Sequence, residues 1–256
     1  MTKSLAVVLR TVKYGDGRII VDMFTRQQGR LSFIVPLPKS AHSKIKKQYF
    51  QPLTLLNIEY ALRPQAQLQT LRDVSLSAPL SSILSTPEKL AVSLFVAEFL
   101  CHALRDEQQN EPLFDYIYSS IEWLDAATSH YANFHLVFLM RLSRFLGFYP
   151  NLFVEERGTR SEERDYSSLN NIPLTYFDLR NATFCTEVPL HPDFLMPQEA
   201  ERIHVLMRMD FPTMHVFRLS RAERNRILEL LLLYYRLHLP AFPELRSVEV
   251  LHELFS

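Results

Sequence analysis

Cysteine is nearly absent from this chain. Cys101 and Cys185 are the two that 256 residues hold. They are too few for a disulfide framework, and no CxxC pair stands ready for zinc. Long hydrophobic runs are missing as well. The longest, Leu230–Tyr235, is about a third of a membrane span and lies inside an amphipathic pattern. At the amino terminus Leu5–Leu9 is apolar but too short for a signal-peptide core, and Arg10 and Lys13 follow it. These absences point to a reducing, cytoplasmic setting without a membrane partner. Catalytic signatures are also lacking: no GxxxxGKS/T phosphate loop, no HExxH and no GxSxG elbow occurs. His130 and His135 have no obvious carboxylate partner and read as surface or helix-cap residues. An enzyme is not expected.

The formal charge sums to zero, and the zero hides an asymmetry. Residues 1–80 hold twelve Lys and Arg against Asp16, Asp22, Glu59 and Asp73, a net +8. The other 176 residues carry sixteen basic and twenty-four acidic groups, a net −8. A basic module joined to an acidic one suggests that the first meets a polyanion, of which nucleic acid is the commonest. A merely solvated basic face is the plainer alternative.

With 47 % hydrophobic residues the chain can bury a real core and divide into two domains. Ser4–Tyr14 and Arg18–Thr25 read as strands around Gly15-Asp16-Gly17, a hairpin loop whose glycines accept positive φ. Gln27-Gln28-Gly29 turns into a third strand, Arg30–Val35, and Leu53–Tyr60 and Gln67–Leu76 supply two more. Five short strands in residues 4–76 suggest a small barrel, and the OB-fold fits best. Between the third and fourth strands, residues 36–48 hold four lysines and no acid, as expected of a long basic loop. From Thr86 the period becomes helical. Thr86-Pro87 starts a helix whose apolar stripe is Leu90, Leu94, Ala97, Cys101 and Leu104. Further helices are expected over Glu111–Ala127, Tyr131–Leu146, Pro197–Arg208 and Ser220–His238, the last opened by a capping box, Ser220 to Glu223. Its broad apolar face, Ile227 to Leu233, marks it as central to a bundle. Glu155–Asp165 reads as an exposed loop, and Leu174–Leu190 as two short strands around Asn181.

In the barrel, cations and aromatic rings interleave. Arg10, Lys13, Arg18, Arg26, Arg30, Lys39, Lys44, Lys46 and Lys47 are placed to follow a phosphate backbone. Tyr14 and Tyr49 are the candidate base-stacking rings; Phe24, Phe33 and Phe50 fit the barrel core better. The lysine-rich loop suits contact with any sequence, since base-edge reading favours guanidinium forks. In the helical part, Arg141, Arg144, Arg221 and Arg224 flank apolar faces and are candidates for clamping an acidic, hydrophobic peptide. Pairing with local Glu and Asp is their plainer reading.

Four stretches then carry a resemblance: VLRTVKYGDGRIIV from Val8 to Val21, FTRQQGRL from Phe24 to Leu31, QPLTLL from Gln51 to Leu56, and RFLGFYPN from Arg144 to Asn151 with the tail Tyr235–Pro240 and Leu245–Ser247. In order and spacing they resemble the RecO family of bacterial recombination mediators. The resemblance implies an α+β protein: a five-stranded OB-fold barrel in residues 1–80, a helical domain over 81–256, and a small zinc-ribbon-like module inserted at 151–195. It implies binding of single- and double-stranded DNA, annealing of complementary strands, and partnership with RecR, with single-stranded DNA-binding protein and, indirectly, with RecA, in the nucleoid. Many members hold zinc on four cysteines of the inserted module. This module keeps Cys185 alone, so no zinc or other cofactor is expected, and packing of Leu174–Leu190 on Phe153 is expected to hold it together. A non-catalytic adaptor whose barrel binds an acidic protein, RNA or anionic lipid stays open as the alternative. An unrecognised nuclease is a second rival, although no acidic cluster resembles a two-metal site.

Overall fold

The computed structural model describes residues 1–37, 45–105, 107–152 and 175–253. Five strands form a closed barrel in the order β1-β2-β3-β5-β4: β1 Thr2–Tyr14, β2 Arg18–Thr25, β3 Gly29–Pro36, β4 Leu55–Tyr60 and β5 Leu68–Leu76. β1 is long enough to pair with β2 through one stretch and β4 through another, and a register shift after Val8 bends it between the two. The one parallel contact, β3 with β5, closes the barrel, which is the OB-fold arrangement the strand spacing predicts. Strand alternation sends Val8, Ile19, Val21, Met23, Phe33, Val35 and Ile58 inward, with Phe50 among them. Phe24 departs from the expected barrel core. It lies on the outer face, fully buried, with its ring 5.9 Å from that of Phe114.

Helices α1 (Ser81–Ser85), α2 (Pro87–Ala103) and α3 (Glu111–Ala126) follow, with α4 at Phe134–Phe145, α5 at Pro197–Met207, α6 at Arg221–His238 and α7 at Ser247–Glu253. Among the described residues no helix is long and apolar enough to cross a membrane. Two compact units emerge: residues 1–135 with 242–256, and residues 136–241. The first therefore contains the barrel together with α1, α2, α3 and the C-terminal segment from Phe242.

In that first unit the barrel is fastened to its helices. Gly29, at φ +69°, lets β3 pass so close to the chain at Gln108 that a Cβ would sit 2.4 Å from the Gln108 backbone. The Arg30 N–H donates to the Glu107 carbonyl at 3.1 Å. Lys89, within α2, is 1 % exposed. Its ammonium donates to Ser82 Oγ and to the Asp125 and Ala127 carbonyls, so it caps the C-terminal end of α3. Two expectations for α2 need correction. Pro87 does open the helix, but Thr86 makes no side-chain capping bond. The stripe from Leu90 to Leu104 is not the core face throughout. Leu90 and Leu94 are exposed, while Val92, Phe95, Val96, Phe99 and Leu100 fill the interior.

In the second unit α6 opens on the expected capping box and packs Tyr234 and Tyr235 against Phe148. Leu233 is exposed, so the buried face of α6 is narrower than its composition suggests. Gly147, at φ +86°, ends α4 by letting the Phe148 N–H reach back to the Ser143 carbonyl. The inserted module is a three-stranded sheet, β7-β6-β8, from β6 Tyr176–Asp178, β7 Thr183–Cys185 and β8 Phe194–Leu195. The third strand is additional to the two expected. Asp178 organises the β6–β7 turn by accepting from the Arg180 and Asn181 amides and from the Asn181 side chain. Phe153, Leu174 and the 155–165 stretch lie outside the described residues.

Candidate nucleic-acid interface

The expected site residues fall into three groups, the first two from the DNA-binding set and the third from the partner-binding set. The first clusters at the open end of the barrel. Across the β1–β2 ladder Tyr14 stands opposite Arg18, and Lys13 opposite Ile19. All three named cationic and aromatic residues are exposed, Tyr14 by 51 %. The Leu37 N–H donates to the Gly17 carbonyl at 2.8 Å, so the lysine-bearing connection leaves beside the hairpin tip. It returns through a 3-10 turn, Lys47–Phe50, stitched to β1 where Thr11 Oγ1 donates to the Phe50 carbonyl at 2.6 Å. Lys46 and Lys47 are exposed on that return. Lys39 and Lys44 lie outside the described residues. Tyr49 is half-buried against the barrel core beside Phe50, which ties its ring to the plug of the barrel mouth.

The second group is held by carboxylates. Asp22, 4 % exposed, accepts from Arg10 at 2.8 Å, from Arg30 at 3.2 Å and from Ser32 Oγ at 2.6 Å. Burial alone would push its carboxyl up; the Ser32 hydrogen bond and the Arg30 and Arg10 charges outweigh that and hold it below the usual aspartate range. Arg30 also donates to the Cys101 carbonyl at 2.5 Å, which fastens the barrel to α2. Arg26 makes a bidentate pair with Asp115 at 2.9 and 3.1 Å and reaches Glu111 at 3.0 Å. Arg10 is still largely open to solvent, but Arg26 and Arg30 are spent mainly on architecture.

Register adds a feature that charge counting misses. Arg10, Val12 and Tyr14 share the outer face of β1. Opposite them run Asp22, Ile20 and Arg18 of β2, then Ser32, Ile34 and Pro36 of β3. The outer face thus carries an apolar row, Val12–Ile20–Ile34, between Arg10 on one side and Arg18 with Tyr14 on the other. Val12 is 45 % exposed. The period-two alternation of Arg10, Val12 and Tyr14 was the available signal.

The third group lies in the second unit. Arg141 donates twice to the Met209 carbonyl, Arg144 stacks its guanidinium 4.6 Å from the Tyr149 ring, and Arg224 donates to the Leu219 carbonyl. Burial, followed by the neighbouring Arg221, pushes the Arg224 guanidinium below its ordinary value. Arg221 is exposed. Local packing thus uses Arg141 and Arg224, and Arg144 and Arg221 are the more accessible pair. Among the described residues no group of three His, Cys, Asp or Glu is arranged to hold a metal ion.

Residues 1–80 match the family described as Recombination protein O N terminal, and residues 84–247 match Recombination protein O C terminal. The chain belongs to the RecO family. It is 45 % identical over 256 residues to a protein of Phocaeicola vulgatus, covering all of both chains, and 46 % identical over 257 residues to one of Bacteroides fragilis, again covering both completely. A more distant relative from Porphyromonas gingivalis is 32 % identical over 257 residues, covering 99 % of this chain and 98 % of its own. Each of these relatives bears the name DNA repair protein RecO. Membership accords with the closed five-stranded barrel followed by a helical region.

Proposed function

We propose that this RecO-family chain is a non-enzymatic DNA repair and recombination mediator. It binds single- and double-stranded DNA on its barrel, anneals complementary strands, and helps RecA loading together with RecR and single-stranded DNA-binding protein. The observation that supports the DNA-binding part is that Lys13, Tyr14 and Arg18 are exposed on the β1–β2 hairpin, to which Leu37 and Phe50, on either side of the basic connection, are hydrogen-bonded. Cations there neutralise phosphates while Tyr14 offers a ring to a base. Annealing follows from the same electrostatics, because neutralised strands repel each other less and their bases stay free to pair. Arg144 and Arg221 are the places where the second unit receives an acidic, hydrophobic segment of a protein partner. No zinc or other cofactor enters this reading.

The test is the salt dependence of oligonucleotide binding. About five phosphate contacts give a slope of log affinity against log salt near −3.5 for single strands. Changing Lys46 and Lys47 to Glu lowers affinity equally for all sequences and flattens that slope. A salt-independent wild type overturns the reading. Stronger competition by polyphosphate or anionic vesicles than by oligonucleotide favours the adaptor alternative instead.

A further inference from the structure

Helix α2 leaves Leu90 and Leu94 of its apolar stripe exposed. Leu94, 44 % exposed, and the largely buried Ala97 and Cys101, one and two turns further on, line one side of a groove of about 600 Å³. Leu9 and Pro52 from the barrel side form the other, and Arg10 stands at the rim. This volume lies within the range of small-ligand pockets, about 300–1,000 Å³.

The charges that line the groove, Arg10 and Arg246 against Glu98 and Glu244, nearly cancel. The Glu98 carboxylate is saturated by the Arg246 and Ser247 amides and the Ser247 hydroxyl. Arg10 is paired with Asp22. The Glu244 and Arg246 side chains that border the groove are of opposite sign. Burial, against the opposing pull of Glu98, holds the His102 imidazole below its ordinary value and hence neutral at neutral pH. A phosphate gains little there, whereas an uncharged heterocycle gains apolar walls and a neutral imidazole able to donate or accept. Arg10 also belongs to the barrel's outer face, four residues and about 13 Å along β1 from Tyr14. The groove therefore opens beside the barrel's outer face, further along which Tyr14 and Arg18 belong to the surface proposed for DNA.

We propose that the groove between α2 and β1 receives one unstacked base of a single DNA strand whose phosphates run along the barrel's outer face. This rests on the DNA-binding reading above and adds the fate of a base to it.

The experiment uses the full chain and oligonucleotides carrying a single 5-iododeoxyuridine at successive positions, photocrosslinked and mapped by mass spectrometry. At one position adducts are expected within residues 94–102 or at Pro52. Adducts confined to the hairpin and to Lys46–Lys47 overturn the proposal. In parallel, Ala97→Phe fills the groove, and Leu94→Ser, at an exposed helical position that tolerates substitution, removes part of its wall. Both are expected to bind an intact oligonucleotide about tenfold more weakly, to bind one that is abasic at the mapped position as the wild type does, and to keep the wild-type salt slope. Equal loss on both oligonucleotides overturns the base assignment. So does wild-type binding of both, which leaves the groove to a protein segment. Absence of any salt-dependent binding by the wild type is a different failure, that of the DNA reading itself.

Discussion

Arg10 and Asp22 face each other across the β1–β2 ladder, guanidinium to carboxylate at 2.8 Å, and Arg30 reaches the same carboxylate oxygen from β3. One buried acid thus holds two cations on the outer face of the barrel. Replacing Asp22 by Asn leaves Arg30 half-buried without its counter-charge, at a cost of about 2–3 kcal/mol in urea unfolding. The pH dependence has a definite sign. Because the folded pKa lies below 3.8, the unfolded chain takes up the proton first. The stabilisation is complete above that pH and is lost as pH falls below it. Urea midpoints measured from pH 3 to 6 should therefore fall less steeply for Asp22→Asn than for the wild type.

Tyr14 and Tyr49 separate binding from folding. Tyr14→Ala, at a ring 51 % exposed, should shift stability by no more than about 0.5 kcal/mol. It should weaken single-strand affinity by roughly five- to a hundredfold if its ring carries a base. Tyr49→Ala removes a half-buried ring from the barrel plug and should cost about 1–2 kcal/mol of stability. Fluorescence anisotropy beside thermal melts distinguishes the two; a Tyr14 variant with unchanged affinity removes it from the interface.

Gly29 and Gly15 both have positive φ, but only Gly29 is crowded. Gly15→Ala meets open space and should cost about 1 kcal/mol, the penalty for a left-handed backbone with a Cβ. Gly29→Ala adds a collision with the Gln108 backbone and should cost at least about 2 kcal/mol more. Denaturant unfolding of the two variants side by side measures the difference, and equal costs would remove the close approach from the account.

Lys89 should be intolerant of an apolar replacement. Lys89→Met keeps the length of the stem but leaves the Asp125 and Ala127 carbonyls without their donor. A loss of about 2–4 kcal/mol follows from unsatisfied buried acceptors. A variant as stable as the wild type in chemical denaturation would show that water takes over this role.

Sequence reading was most dependable where the determining groups are neighbours along the chain. The hairpin at Gly15–Gly17, the Ser220–Glu223 capping box and the Gly147 stop depend on a few consecutive residues, and strand parity in the barrel depends on a period of two. Residue type places Arg26 among the candidate phosphate binders with equal ease, but Asp115, 89 positions away, takes up its guanidinium. Likewise the period of α2 marks Leu90 and Leu94 as apolar without saying which face the barrel and the C-terminal segment will cover.

The amino-acid order by itself determined the five barrel strands, the longer helices and the concentration of cations in the first eighty residues, because propensity, alternation and local capping act over a turn or two of chain. Only the tertiary structure decided which cations remain open to a ligand and which are consumed by the fold. Charge pairing falls off over a few ångströms of space, and those ångströms are set by packing between segments far apart in the chain.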